Sequence, residues 1–300
     1  MTTKTISLSG YSKTLAINQL SKSLNKGDYD SSCYWSVEMH ISGWIGDWWL
    51  AILNYSALNI HTKNPKIGKF LYKISNDYPG IRGINSTNNS SEIRQTIALI
   101  VGVCNFSPKD IGLVFPKPIT IPVRDEVKVL NKIETTPLHR CVLDASLRGD
   151  PQIMLKLLSQ LAHSIDRFDY HAALRVINVG TFFSKHSFYK RKIVCAQRTW
   201  NGLDKKHWNS WLLFLWDVLM ELGKKRNIGD IVGSWRAMFI INCEYTKIRV
   251  LQSYILSCIS LLSHKININN QCIFNEKTIH KGCTSIDLMY SDIIKQLNSR

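Results

Sequence analysis

Nowhere in this 300-residue chain do two cysteines stand close enough to form CxxC. Cys33, Cys104, Cys141, Cys195, Cys243, Cys258, Cys272 and Cys283 are each isolated. Zinc ribbons and thioredoxin-like redox motifs need that short spacing and are excluded. The opening MTTKTISLSG carries no apolar signal region, so free thiols in a reducing, cytoplasmic compartment are expected. If the protein is viral, that means host cytoplasm, viral factory or virion. No apolar run approaches the roughly 20 residues a membrane span requires. The longest, Ile97 to Val103 and Trp211 to Leu215, are far shorter, and no membrane partner is expected. Sequons such as Asn85-Ser86-Thr87 then carry no meaning.

The motifs of catalysis are missing as well. There is no HExxH, no His pair at i, i+4 with a carboxylate partner, and no GxSxG. Gly10-Tyr11-Ser12-Lys13-Thr14 looks like the end of a phosphate-binding loop, but it lacks the leading glycine, the glycine before the lysine and a preceding strand. Ser12 or Thr14 is therefore read as a helix cap. His40 lies near Ser36 and beside Glu38, which suits acid/base work, although a core or surface histidine explains it as well. Asp28 with Asp30, and Asp125-Glu126, sit where helices begin and answer to the helix dipole. No metal or cofactor is expected, and the chain is read as non-enzymatic.

What the chain has in excess is positive charge. Its 38 Lys and Arg outnumber 22 Asp and Glu, for a net charge of +16 and a pI near 9.5. Residues 151–300 hold 21 basic and 10 acidic groups, against 17 and 12 in residues 1–150. Such a field favours anionic polymers, nucleic acid ahead of a membrane surface.

From Leu15 to Leu71 apolar residues recur at three- and four-residue steps, the spacing of consecutive amphipathic helices. Asp77 to Ser91 reads as a loop, and helix resumes where Ser90 or Ser91 can cap it. Pro116, Pro118 and Pro122 make 114–123 an extended segment. A short helix over 125–133 and another opened by Thr136-Pro137 are expected. Helices are then expected from about 150 to 183 and over 207–223, 229–262 and 284–297. The fold class is mostly α, with two packed helical-bundle modules: 1–113, a linker at 114–135, and a strongly basic 136–300. A shift of 141 residues aligns Gln19, Leu20, Ser23, Asp28 and Tyr29 with Gln160, Leu161, Ser164, Asp169 and Tyr170. Both a degenerate internal repeat and a chance likeness of amphipathic helices fit that alignment.

Between Thr181 and Arg226 ten basic residues stand against three acidic ones. Lys185, Lys190, Arg191, Lys192, Arg198, Lys205, Lys206, Lys224, Lys225 and Arg226 alternate there with aromatics that include Tyr189 and Trp208. Cations that neutralise phosphates beside rings that stack on unpaired bases are the combination used for single strands. These ten residues and Tyr189 are the candidate nucleic-acid contacts, to DNA or RNA, whereas Trp211, Phe214 and Trp216 lie in a strongly apolar helix and read as core.

From Leu15 to Leu71, leucines, the Gly27-Asp28 turn, a helix with Tyr34, Trp35 and Glu38, the Ser42-Gly43 break, a helix with Trp48 and Trp49, then His61, Asn64 and Pro65 follow an order that resembles the helical collar of clamp-loader and related replication ATPases. It is also similar to an uncharacterised helical family of large eukaryotic DNA viruses. The likeness covers about a fifth of the chain. It implies a packing and oligomerisation module in viral DNA replication or virion assembly; motor activity is not carried over, because the ATPase modules expected before a collar are not found in this sequence. Two readings lead: a nucleic-acid-binding or nucleoprotein-assembly protein, or a structural adaptor that forms homo-oligomers or protein complexes through Trp-rich helices; a third, an enzyme with an unrecognised site, requires His40, Glu38 and His61 to converge on one pocket.

Overall fold

The computed structural model describes residues 6–83, 89–110, 112–113, 123–185, 194–243, 248–269 and 271–298. Among them are thirteen α-helices and no strand, which makes the fold all-α. In chain order these are α1 (Lys13–Lys26), α2 (Tyr29–Ile41), α3 (Ile45–Asn59), α4 (Ile67–Asp77), α5 (Ser91–Phe106), α6 (Val123–Glu134) and α7 (Arg140–Ala145). They continue with α8 (Gln152–Asp166), α9 (Tyr170–Lys185), α10 (Trp211–Lys225), α11 (Gly229–Cys243), α12 (Ile248–Leu262) and α13 (Glu276–Asn298).

The chain divides into two compact units, residues 1–112 with 269–300, and residues 113–268. The C-terminal helix therefore leaves the module to which the sequence reading gave it. The reason is apolar complementarity: Ile279, Ile286, Tyr290 and Ile293 bury one face of α13, and its most extensive packing is against α5. Glycine makes that approach possible. A Cβ on Gly102 of α5 would sit 2.6 Å from Ile279, and one on Gly282 of α13 would overlap the Tyr29 ring. The Tyr29 hydroxyl donates to the Ala98 carbonyl at 3.1 Å and ties α2 to the same helix.

In the first unit α5 is the central helix, with Ile97, Ala98, Ile100, Val101, Val103 and Cys104 fully buried. The segment before α1 is held on α2, where the Ser9 amide and hydroxyl donate to the buried Glu38 carboxylate at 3.1 and 2.7 Å. In the second unit α10 takes the central place against α7, α8, α11 and α12. Trp211, Phe214 and Trp216 of α10 are 5%, 0% and 0% exposed, core as their apolar helix required.

Each unit contains one helical hairpin of the same plan, α1–α2 and α8–α9, at the aligned positions. Ser23 Oγ donates back to the Gln19 carbonyl at 3.0 Å, and Ser164 Oγ to that of Gln160 at 2.8 Å. Each first helix ends in a Schellman turn, in which the amide two residues past the cap reaches back into the last turn. Asp28 N donates to Ser23 O at 3.0 Å, and Asp169 N to Ser164 O at 2.9 Å. Each aspartate then caps the next helix, Asp28 accepting from Ser31 N and Asp169 from Ala172 N. This turn breaks the continuous helix expected over 150–183, because Phe168 adopts a positive φ of 58°.

Other boundaries also differ: α13 begins at Glu276 and not at 284, and α10 at Trp211 and not at 207. The helix opened in expectation by Thr136-Pro137 begins at Arg140, since the His139 ring accepts from Cys141 N and supplies the cap. Thr136 instead donates back to Lys132 O and finishes α6, a helix that occupies much of the expected linker. The span 229–262 is two helices, α11 and α12.

Candidate nucleic-acid interface

Residues 194–209 form an irregular segment that the second unit pins in place. Cys195 N donates to Asn209 O at 3.3 Å and Arg198 N to Trp208 O at 2.9 Å. Arg198 makes the anchor. Its guanidinium donates to both Asp150 oxygens at 2.9 and 2.7 Å and to Asp217 at 2.8 Å, and lies 4.3 Å from the Phe214 ring centroid. Its side chain is 2% exposed and that of Asp150 0%. Burial alone would push Asp150 up, but hydrogen bonds from Arg198 and the Leu147 and Ala196 amides outweigh it and hold the carboxyl below its ordinary range. Asp217 moves up, because burial there exceeds the pull of Arg236 and Arg198. Arg198 therefore leaves the set of phosphate contacts expected from sequence. An arginine buried between two carboxylates has no donor for a phosphate.

Lys205 and Lys206 are exposed, on a single 3-10 turn. The Lys205 ammonium lies 5.9 Å from the Trp208 ring, and Trp208 is fixed by its indole N–H to Leu203 O at 3.0 Å. Lys206 pairs with Asp204 at 2.8 Å and stays 67% exposed, a surface pair of about 0–1 kcal/mol that a phosphate can displace. A cavity of about 450 Å³ opens beside them, lined by Gly202, Leu203, Asp204, Lys206, His207 and Cys243. Burial, then the Lys206 charge, lowers the His207 pKa below its usual 6.5, so this imidazole is neutral at physiological pH.

Lys224, Lys225 and Arg226 close the C-terminus of α10, where cations suit the helix dipole. Lys224 pairs with Glu221 at 2.6 Å and Lys225 with Asp166 at 2.7 Å. Arg226 donates to Ile165 O at 2.7 Å and stacks 4.6 Å from the Phe168 ring centroid. Asp166 also takes His139 at 2.9 Å. Burial would raise its pKa, but Lys225 and His139 lower it overall. The candidates thus fall into two described groups, 205–206 and 224–226. Tyr189, Lys190, Arg191, Lys192 and the Lys185 side chain lie outside the described residues. Arg167 and Phe168, which the sequence reading did not single out, are exposed beside the 224–226 group. The 141-residue alignment carried a signal, since it sets Phe168 opposite Gly27.

The acid/base candidates go to separate partners: Glu38 to Ser9, His40 to the Tyr290 hydroxyl at 2.5 Å, and His61 to within 3.8 Å of Asp110. Lys13 of the phosphate-loop-like stretch pairs with Asp47 at 2.6 Å, and Ser12 caps α1. Among the described residues no group of three His, Cys, Asp or Glu is placed to hold a metal. No described helix is long and apolar enough to cross a membrane. Trp48, Trp49, Trp216 and Trp235 are at most 1% exposed, so these rings are core and do not form the Trp-rich binding face of the adaptor reading.

No family model, no curated protein and no solved structure matches the chain.

Proposed function

We propose that this is a non-enzymatic protein that binds nucleic acid through its second unit and takes part in a nucleoprotein assembly, with single strands as the preferred partner. The observation that carries this reading is the placement of charge. Residues 113–268 hold 23 basic and 12 acidic groups, whereas 1–112 with 269–300 hold 15 and 10. The second unit thus carries +11 of the net +16. Exposed Lys205 and Lys206 beside Trp208 supply the phosphate-neutralising and stacking groups that single strands use. Assembly in replication or in a virion, implied by the collar resemblance, belongs to the same proposal.

Fluorescence anisotropy of labelled single- and double-stranded DNA and RNA at two salt concentrations tests it. Binding should fall steeply with salt. Combined Lys205→Glu and Lys206→Glu, or combined Lys190→Glu, Arg191→Glu and Lys192→Glu, should weaken it for every sequence and flatten the salt slope by about one unit per lost phosphate contact. Absence of binding at low salt, or binding untouched by either reversal, would overturn the proposal.

A further inference from the structure

The α8–α9 turn is built in a way that its own fold does not call for. At the equivalent turn of the first unit, Gly27 adopts φ 73° with its amide on Leu24 O, and glycine takes that conformation without strain. In the second unit the same Schellman geometry is imposed on a phenylalanine, with φ 58° and the Phe168 amide on Ile165 O at 3.0 Å. A bulky residue with left-handed φ is a strained choice, and strain that persists in a structure clusters at functional positions. Core packing does not explain the ring, for Phe168 is 48% exposed.

The ring is nevertheless held. The Arg226 guanidinium stacks on it at 4.6 Å and is itself fixed by Ile165 O at 2.7 Å and Asp166 at 3.7 Å. Around the turn stand exposed Arg167 and Lys225, the latter 50% exposed. The turn's carboxylates are engaged from within: Asp166 by His139 and Lys225, and Asp169 by the Ala172 amide. A positioned, half-open aromatic ring with guanidinium and ammonium groups at its edge fits one ligand chemistry, an unpaired base with its flanking phosphates.

We infer that the α8–α9 turn is a single-strand stacking site, in which Phe168 is the platform for one base and Arg167, Lys225 and Arg226 take the adjoining phosphates. This rests on the nucleic-acid reading above and names a locus within it that the charge pattern alone did not mark. An acidic peptide would meet the cations but would leave the strained ring without a purpose.

The test uses the full chain with labelled oligothymidylate and a labelled duplex of matched length, comparing wild type, Phe168→Gly and Phe168→Tyr. The glycine variant suits the turn's φ and so keeps the fold, which thermal denaturation checks. Phe168→Gly is expected to bind the single strand roughly tenfold more weakly, within the range for loss of one base–aromatic stack. Its duplex affinity and salt slope should be unchanged, and Phe168→Tyr should bind as wild type does. Single-strand binding by Phe168→Gly equal to wild type would overturn the stacking site while leaving the nucleic-acid reading intact. Equal losses on single strand and duplex would also overturn it, because stacking needs unpaired bases. Wild type that binds neither nucleic acid at low salt, or binds only a polyglutamate peptide, would overturn both.

Discussion

The hairpins α1–α2 and α8–α9 share a back-bonded serine, a Schellman turn and a capping aspartate, yet the two units complete them by different chemistry. The first unit closes its core with a helix distant in sequence, α13, which glycines at 102 and 282 allow to lie close against α5 and α2. The second unit completes its packing with an irregular segment held by a buried arginine between two aspartates. The hairpin is a local solution that satisfies its own backbone. What surrounds it is a matter of long-range complementarity. At Gly27 and Phe168 the hairpins differ in the residue that takes the left-handed turn, unstrained in the first and strained in the second, and the proposed stacking site rests on that difference.

The largest expected effect tests the closure of the second unit. Arg198→Met should destabilise the protein by about 3–5 kcal/mol, because Asp150 is left buried without its partner. Chemical denaturation should show this loss, and hydrogen exchange should place it first in residues 194–209. The double variant Arg198→Met, Asp150→Asn should recover part of it, since it removes the unpaired buried charge and keeps an acceptor for the Leu147 and Ala196 amides. If Arg198→Met lost less than about 1 kcal/mol, the arginine would not be the anchor, and the contrast with the helix-closed first unit would fail.

The first unit was largely legible in the sequence. The three- and four-residue recurrence of Leu20, Leu24, Val37, Trp48 and Ile52 reports which face is buried, and all five are at most 1% exposed. Helix caps at Ser12, Asp28 and Ser90 could be read because their hydrogen bonds are local. The partner of α13 could not be read, since nothing local in 276–298 distinguishes α5 from any other apolar stripe. Arg198 failed for a related reason. An arginine in a basic, aromatic-rich run looks like a phosphate contact until Asp150 and Asp217 arrive from 48 and 19 residues away. Phe168 was hidden because an aromatic in a helical pattern reads as core, and only the alignment with Gly27 places it in a left-handed turn.

That turn gives the second prediction, of intermediate size. A Cβ at Gly27 meets nothing nearer than Asn105 Oδ1 at 4.0 Å, so Gly27→Ala introduces backbone strain without a clash and should cost about 1 kcal/mol. Phe168→Gly relieves the same strain, but it loses the Arg226 contact and adds the chain entropy of glycine. The net change should stay within about 0.5 kcal/mol. Urea denaturation of the two variants decides the matter. If Phe168→Gly were as destabilising as Gly27→Ala, the phenylalanine would be structural and the two turns equivalent in purpose.

The smallest expected effect concerns how each unit closes the end of a helix, with a lysine in the first and an arginine in the second. Lys109 Nζ donates to the carbonyls of Cys104 and, at 2.9 Å, Asn105 at the end of α5. Arg226 donates to Ile165 O at the end of α8. Burial lowers the Lys109 pKa from 10.5 to about 8, with the Cys104 charge opposing. Between these values the unfolded chain binds more protons than the folded one, so this group makes stability rise with pH. Buried thiols act in the opposite sense once unfolded cysteines, with an ordinary pKa of 9.0, begin to ionise, while burial holds Cys104 at about 11. Between pH 8 and 9 the lysine and the thiols therefore pull against each other, and the difference between wild type and Lys109→Met isolates the lysine. There, exchange protection of α5 should rise more with pH, or fall less, in wild type than in Lys109→Met, while α8 should show no difference between the two, because the arginine that closes it does not titrate. The same slope in Lys109→Met as in wild type, or a matching difference in α8, would assign the pH dependence to other groups and remove this distinction between the units.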